Sequence, residues 1–465
     1  MSSNSSIDHD DQAIIDAGYK PRLHRSLGFF SSFAVMFSGV SVLMGIFSNF
    51  GYVLTKAGPF GFWTWPIVGC GQLLVALVFA EMAGRLPLTG AIYNWNTRSA
   101  NSFTGWLSAC VLFFAYCIGA VGVVVATLAP LQTLIGHELS QSLLMVIGVG
   151  FILAHMLINI YGVALASHTN KMAVISEIIA LIVFGVVLLV VILMHHEARV
   201  DLLMSIPEKP TPYWSGFLLA SLLAAWTLIG FELPSDLSEE TLNVKQVAPK
   251  SIIIAVVVSI VLGSLFIGTL VLAIPDLATI TAASDPISAI VAYHLGATVM
   301  KIFLVFVLVA MFALALLVMA GASRILYAVA RDGRAIGSSF LAKVSKHKVP
   351  HIAILCVTAL EMIIFLSAKD AVDLYAASTV LFFLVYLITV VSFAFGFKKL
   401  PKPGGFSLGS WRWPIVSIAI GWLIAMISIL TLPEEFHRAA QIAGIALLLC
   451  LVACFVIRYR PKAIR

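Results

Sequence analysis

The sequence predicts an all-α membrane protein with about twelve transmembrane helices, and three observations carry that prediction. Of the 465 residues, 61% are hydrophobic and only 11% charged, against about 45–50% and about 25% in a soluble domain. No soluble core would hold that apolar excess, so lipid must cover much of the surface. The apolar runs are continuous over about 20 residues, the length at which a helix crosses hydrocarbon. Membrane strands would alternate apolar and polar side chains, and a bilayer offers no water to unpaired backbone groups, which leaves the helix as the spanning element. The third observation is that Lys and Arg are distributed unevenly between alternate connections.

Residues 1–26, polar and rich in Ser and Asp, read as a cytoplasmic tail. Apolar runs follow at 29–54, 62–83, 105–134, 142–162, 172–195, 214–237, 251–274, 298–327, 350–367, 371–396, 413–432 and 439–457. Gly90–Arg98, after the second run, and Pro286–Leu295, before the eighth, read as short surface helices. Residues 461–465 form a second short tail, so 27–460 reads as a single transmembrane domain. With the N-terminus placed in the cytoplasm, 22 of the 28 basic residues fall on the cytoplasmic side. Lys56, Arg199, Lys209, Lys301, Lys369 and Arg438 fall on the other. Positive charge gathers on the cytoplasmic side of membrane proteins. The asymmetry therefore places both termini there and favours an even number of spans in a multi-pass protein of the cell (plasma or inner) membrane.

The net charge of +6 does not mark a nucleic-acid partner, because the basic residues are interleaved with spans rather than clustered on a soluble domain. Cys70, Cys110, Cys117, Cys356, Cys450 and Cys454 all lie inside apolar runs and show neither a disulfide framework nor metal-ligand spacing. No metal and no cofactor is expected. The first 27 residues contain no short apolar stretch before a cleavage site, so no signal peptide is read.

Two spans look interrupted. The first contains Ser38-Gly39-Val40-Ser41-Val42-Leu43-Met44-Gly45-Ile46-Phe47, and the sixth contains Trp226-Thr227-Leu228-Ile229-Gly230-Phe231-Glu232-Leu233-Pro234-Ser235. Gly loosens a helix, and Pro removes a donor and clashes with the preceding turn. Interruptions at matching positions of two halves point to an inverted repeat with a binding site near the bilayer midplane. An unwound stretch exposes N–H groups at one half-helix start and C=O groups at the other half-helix end. The former attract a carboxylate and the latter an ammonium, so two breaks side by side suit a zwitterion without a charged side chain. Gly and Pro also serve as packing residues and kinks in membrane helices, which is the plainer reading of each break taken alone.

At this point the residues resemble a family. Ala80-Glu81-Met82-Ala83-Gly84-Arg85-Leu86-Pro87-Leu88-Thr89-Gly90-Ala91-Ile92-Tyr93-Asn94-Trp95 resembles the signature cytoplasmic loop of the amino acid–polyamine–organocation (APC) superfamily. Gly230-Phe231-Glu232 with Ser238-Glu239-Glu240-Thr241 and Pro249 is similar to that superfamily's sixth span and the loop after it. Ala322-Ser323-Arg324-Ile325-Leu326-Tyr327-Ala328-Val329-Ala330-Arg331-Asp332-Gly333 resembles the end of its eighth span, and Val349-Pro350 the start of its ninth. The likeness covers about residues 25–460 and looks nearest to the branch carrying amino acids, γ-aminobutyrate and choline. It implies a five-plus-five inverted repeat (about 29–195 and 214–396) with two extra C-terminal helices. It also implies a substrate held between the first, third, sixth, eighth and tenth spans.

The resemblance places Ser38, Gly39, Ser41, Met44, Gly45 and Ile46 of the first span at the substrate. Met44 stands where the family often has a carboxylate-binding Ser, with Ser41 one turn earlier as a substitute. In the sixth span it places Trp226, Ile229 and Gly230 there. Trp226 would stack on an ammonium or an apolar side chain, or else simply pack. Glu232 falls at the unwound stretch, where a charge is costly unless paired or wet. It reads as a gating group or as a structural hydrogen-bonding one. In the tenth span Tyr386 matches a tyrosine near the cytoplasmic gate, while Ser378 and Thr379 are polar candidates. Glu177 in the fifth span stands near where some proton-dependent relatives carry a lysine. A carboxyl shielded from water can exchange a proton as its surroundings change, so Glu177 is read as a proton-coupling residue or as a partner of Lys171 or Arg324. Ser323 is an alternative sodium ligand. Glu81 is expected to anchor its loop to basic residues after the eighth span. His155 reads as a structural histidine, and Glu361 has no assigned role.

The expected function is therefore a secondary active transporter, not an enzyme. It would move an amino acid or related amine, with a proton or sodium as coupling ion, as a monomer or homodimer. A choline, polyamine or γ-aminobutyrate permease, an exchanger, a sensor and a membrane-embedded enzyme are the alternatives. The last lacks any paired-His motif, nucleophile elbow or phosphate loop, and no pore-lining ring marks a channel.

Overall fold

A computed structural model describes residues 28–88, 90–161, 172–206, 213–236, 238, 241–345 and 349–458. The tails 1–26 and 461–465, and Lys171, lie outside them. The regular elements are helices, and ten among the described residues are long and apolar enough to cross a membrane. This makes the chain a multi-pass, all-helical membrane protein.

The first apolar run is two helices, α1 (Phe29–Val40) and α2 (Val42–Ala57). Ser41 between them has φ 43° and ψ 69°, a left-handed conformation that costs a residue with a Cβ about 1–2 kcal/mol. The interruption expected around Gly39 and Gly45 is thus centred on a serine between them. α3 (Thr64–Arg85) is the second run, and the expected surface helix is α4 (Ala91–Ser99). α5 (Ser102–Ile135) starts at Asn101, whose side chain accepts the Phe103 and Thr104 N–H groups at 3.0 Å and so satisfies two donors that the helix cannot. α6 (Gln141–Tyr161) and α7 (Met172–Met194) follow, the latter containing a π-helical turn at Ile179–Phe184.

The sixth run is in three pieces: α8 (Tyr213–Ala220), α9 (Leu222–Thr227) and α10 (Leu233–Asp236). α11 (Val244–Leu272) and the short α12 (Leu277–Ala282) lead to α13 (Pro286–Arg331). Gly296, at φ 83° and ψ 162°, bends α13, so the expected surface helix before the eighth span is the segment ahead of that bend. Its start has Pro at the first position and Asp285 accepting the Ser288 N–H at 3.0 Å, both favourable helix-start features. α14 (His351–Ser367), α15 (Ala371–Gly396), α16 (Arg412–Ile429) and α17 (His437–Arg458) complete the chain.

α5 is central: it packs on both α13 and α15, while α9 packs on α2 and α3 on α11. The most apolar window of α5 is 72% buried, against 22% for those of α6, α16 and α17. The latter three consequently present most of their side chains to lipid. On the membrane face carrying α4, Glu81 is fully buried and pairs with Arg85 at 2.5 Å and Arg412 at 3.0 Å. It also accepts the Leu408 N–H at 2.8 Å. The anchor of this acidic residue is therefore the approach to α16, rather than the basic residues after the eighth span. Burying a carboxylate is tolerated only with such compensation.

Candidate functional site

The two broken spans meet. A Cβ added at Gly45 on α2 would lie 2.0 Å from the Thr227 hydroxyl oxygen on α9, so this contact requires glycine. Gly230, between α9 and α10, has φ 80°, which glycine adopts at little cost. Its backbone also approaches the Gly39 carbonyl, 3.4 Å from where its own Cβ would be.

Each break is held by a distant side chain. The first turn of α2 has N–H groups without partners inside the helix; the Leu43 N–H donates to Glu177 Oε1 on α7 at 3.1 Å. Arg324, one expected partner of Glu177, is exposed; the other, Lys171, lies outside the described residues. At the second break the Gly230 N–H donates to the Tyr386 hydroxyl at 2.9 Å, and that hydroxyl donates to Glu232 Oε2 at 2.6 Å. The Tyr116 hydroxyl on α5 donates to Glu232 Oε1 at 3.1 Å. Glu232 and Tyr386 are both fully buried. Phe79 and Phe231 pack on the Tyr386 ring with centroids 4.9 Å away, and Trp95 of α4 packs edge-on to Phe79 at 5.6 Å. A hydrogen-bonded aromatic plug thus separates the breaks from the α4 face.

Between the breaks lies a cavity of about 40 Å³. One water needs roughly 10–15 Å³ in this measure, so the space holds a few waters, and its walls must part to admit an amino acid. Of the residues expected at the substrate, Gly39, Met44, Gly45, Trp226, Ile229 and Gly230 line it. Ser378 stands at its edge, donating to the Ala115 carbonyl at 2.8 Å, near Gly119 of the lining. Ser38, Ser41 and Ile46 are buried but do not line it. Ser323 is likewise outside the lining and donates to the Ala320 carbonyl at 2.8 Å. Thr379 turns back to the Tyr375 carbonyl at 2.7 Å. Glu177 is not in the lining, and Glu232 and Tyr386 lie behind it through Tyr116 and Gly230. None of the lining residues is charged. Trp226 stacks on Tyr375 with ring centroids 4.6 Å apart.

The resemblance implies that the third span, α5, faces the substrate, but sequence reasoning named none of its residues. Tyr116, Gly119 and Val123 all line the cavity, and their three- and four-residue spacing places them on one helix face. That signal is hidden in a run apolar on every side. Two buried groups stay outside the site. His155 Nε2 and Glu361 Oε1 have no hydrogen-bond partner among the described residues.

A family model described as amino acid permease matches residues 27–456. The chain is 24% identical to the amino-acid permease BAT1 of Arabidopsis thaliana, over 94% of this chain and 90% of that protein. It is 24% identical to amino-acid permease 2 of Neurospora crassa, over 93% of this chain and 83% of that one. A shorter match, 36% identical over 20% of this chain and 16% of the other, is to the thiamine transporter thi9 of Schizosaccharomyces pombe.

Proposed function

Because this chain belongs to the amino acid permease family, we propose that it carries a neutral amino acid across the membrane by alternating access, driven by protons. The protein is a transporter of amino acids or related substrates, not an enzyme. The observation that carries the finer reading is the closed, charge-free cavity between two helix breaks, each tied to a buried carboxyl group.

The backbone of α1 and α2 on one side, and of α9 and α10 on the other, supplies donors and acceptors for the carboxylate and ammonium of a zwitterion. The lining then decides the side chain. Met44, Val123, Trp226, Ile229, Leu314 and Phe382 offer apolar contact and no partner for a second charge. A charged side chain would lose its hydration without compensation, which favours small or medium neutral amino acids. Trp226 also suits a quaternary amine, so choline is the second reading. Substrate exchange is the alternative to uptake.

Ser41, Gly45, Gly230, Glu232 and Tyr386 are assigned to hinging and closure. The Tyr386–Glu232–Tyr116 bonds hold the α4 side shut, and their rupture opens it. Glu177 is assigned to coupling. Ionised, it gives the Leu43 N–H a charged acceptor; protonated, it offers a neutral one. Hydrogen bonds to charged groups exceed neutral ones by about 1 kcal/mol, so each proton taken up loosens α2 at its break. Twelve spans follow if the 17-residue α14 and the broken α8–α10 segment join the ten long helices. A five-plus-five repeat, with both termini cytoplasmic, is the arrangement we assign to them. Ser323 serves as packing in this reading, and a sodium site there is the alternative.

The test is uptake into liposomes of a labelled panel of neutral, basic and acidic amino acids, γ-aminobutyrate, choline and putrescine. Each is measured in sodium-free buffer with and without an inward proton gradient. Gradient-driven uptake of neutral amino acids is expected. Glu177→Gln should abolish the gradient effect while leaving exchange of preloaded substrate. Gradient-driven uptake at the wild-type rate in that variant would remove Glu177 from the coupling step.

A further inference from the structure

A second, roomier groove lies away from the site, where α14 ends, α15 begins and α17 begins. Its volume is about 310 Å³, far above the central cavity. Phe114 and Ile118 of α5, Leu360 and Ile364 of α14, and Ile442 and Leu449 of α17 form its apolar wall. Lys369, Asp370, Asp373 and Arg438 all sit at its one charged end, in the turn between α14 and α15 and on the first turns of α15 and α17. The groove is consequently amphipathic along its length, apolar within the membrane and charged at its surface.

Three observations fix the kind of occupant. Ile445 and Leu449 are 60% and 48% exposed on the same stretch of α17, so the groove opens onto lipid rather than onto protein. Apolar cavities exclude water, so in a bilayer hydrocarbon fills the space. A second apolar cavity of about 230 Å³ starts at the same Phe114 and Leu449 and runs toward Arg334. The seam between α5 and α17 is thus unsealed by side chains over much of its length. The charged end balances, with two cations against two anions. Arg438 is held to Asp373 at 3.1 Å; that pair uses one of the guanidinium's five N–H donors. Asp370 takes the Val372 N–H on one oxygen at 3.1 Å, and a carboxylate has a second oxygen to offer.

We propose that this groove binds one phospholipid whose head group carries both a phosphate and a primary ammonium. One acyl chain lies between α5, α14 and α17. The phosphate accepts from Arg438 and Lys369, in the charge-assisted geometry that guanidinium favours, and the ammonium donates to Asp370. A trimethylated ammonium has no N–H for that carboxylate, and a purely anionic head group brings no ammonium to it. The lipid wedges α17 against α5 at the margin of the bundle.

The experiment is native mass spectrometry of the full-length protein in detergent, titrated with phosphatidylethanolamine, phosphatidylcholine or phosphatidylglycerol. The expected result is one phosphatidylethanolamine retained about tenfold more tightly than either of the others, a preference of about 1.4 kcal/mol by the usual conversion. Arg438→Gln and, separately, Ala446→Phe, which fills the groove from α17, should each erase that preference without lowering the unfolding midpoint. Equal retention of the three lipids by the wild-type protein would overturn the proposal, and this arm needs no variant to fold. Undiminished preference in both variants would overturn it too. So would a dimer cross-linked through α17 that retains no phosphatidylethanolamine, since a second copy would then be the occupant.

Discussion

Tyr386→Phe removes one oxygen and tests the closure of the α4 side more directly than any other change. That hydroxyl is fully buried, accepts the Gly230 N–H at 2.9 Å and donates to Glu232 at 2.6 Å. Its loss strands a buried backbone donor, at about 1–3 kcal/mol. It also removes a hydrogen bond to a carboxyl group, worth about 1.5–3 kcal/mol if that group is ionised. Glu232 keeps its bond from Tyr116, and the ring keeps its contacts with Phe79 and Phe231. The closed arrangement should therefore lose about 3–5 kcal/mol relative to one in which these groups meet water. A loss of 3 kcal/mol is more than a hundredfold in an equilibrium constant. Initial rates of uptake into liposomes should fall at least tenfold. A cysteine introduced on α4 should become more reactive to a membrane-impermeant maleimide applied from the α4 side. Wild-type uptake, wild-type labelling and an unchanged unfolding midpoint in Tyr386→Phe would refute the assignment of this hydroxyl to closure.

Two further substitutions probe other parts of the same argument. Gly45→Ala places a methyl 2.0 Å from the Thr227 hydroxyl oxygen. It should abolish uptake in liposomes while leaving the protein monodisperse on size exclusion, because the clash is local to the two breaks. Glu81→Ala strands Arg85 and Arg412 around a buried site and should destabilise the protein by about 3–5 kcal/mol. Differential scanning fluorimetry in detergent would register that as a clearly lower unfolding midpoint, and an unchanged midpoint would mean the network contributes nothing.

The architecture was legible because lipid imposes it. Long apolar runs and the distribution of Lys and Arg require no knowledge of packing, and the runs recur as α3, α5, α6 and their successors. The breaks were legible only as a pair: Gly230 and the Gly39–Gly45 stretch each have a packing reading alone, and their matching places in two spans pointed to interruption. What sequence could not supply was the partner of each break. Leu43 and Glu177 are separated by 134 residues, and Gly230 and Tyr386 by 156. Nothing in local periodicity connects them. Ser41 shows a different limit. Read as a side-chain ligand, it is also the left-handed residue between α1 and α2, and backbone strain leaves no mark on residue type when the strained residue is not glycine. Which α5 residues form the wall was hidden because every face of that helix is apolar, and Glu81 was assigned the wrong partners because Arg412 follows it by more than three hundred residues.

The Leu43–Glu177 hydrogen bond also dictates an order of assembly. While the chain is being made, the first span enters the membrane with its unwound turn uncompensated, since the acceptor for Leu43 lies 134 residues downstream. At the usual pace of translation, about 5–20 residues per second, that acceptor arrives roughly 7–27 s later. Until then the cheapest course for residues 38–45 is one unbroken helix, because hydrocarbon punishes every unpaired N–H. The kink at Ser41 should therefore be acquired after insertion, when the fifth span docks. A nascent chain halted before residue 177 should carry a straight first span, and the break at Ser41 should appear only once the fifth span has been made.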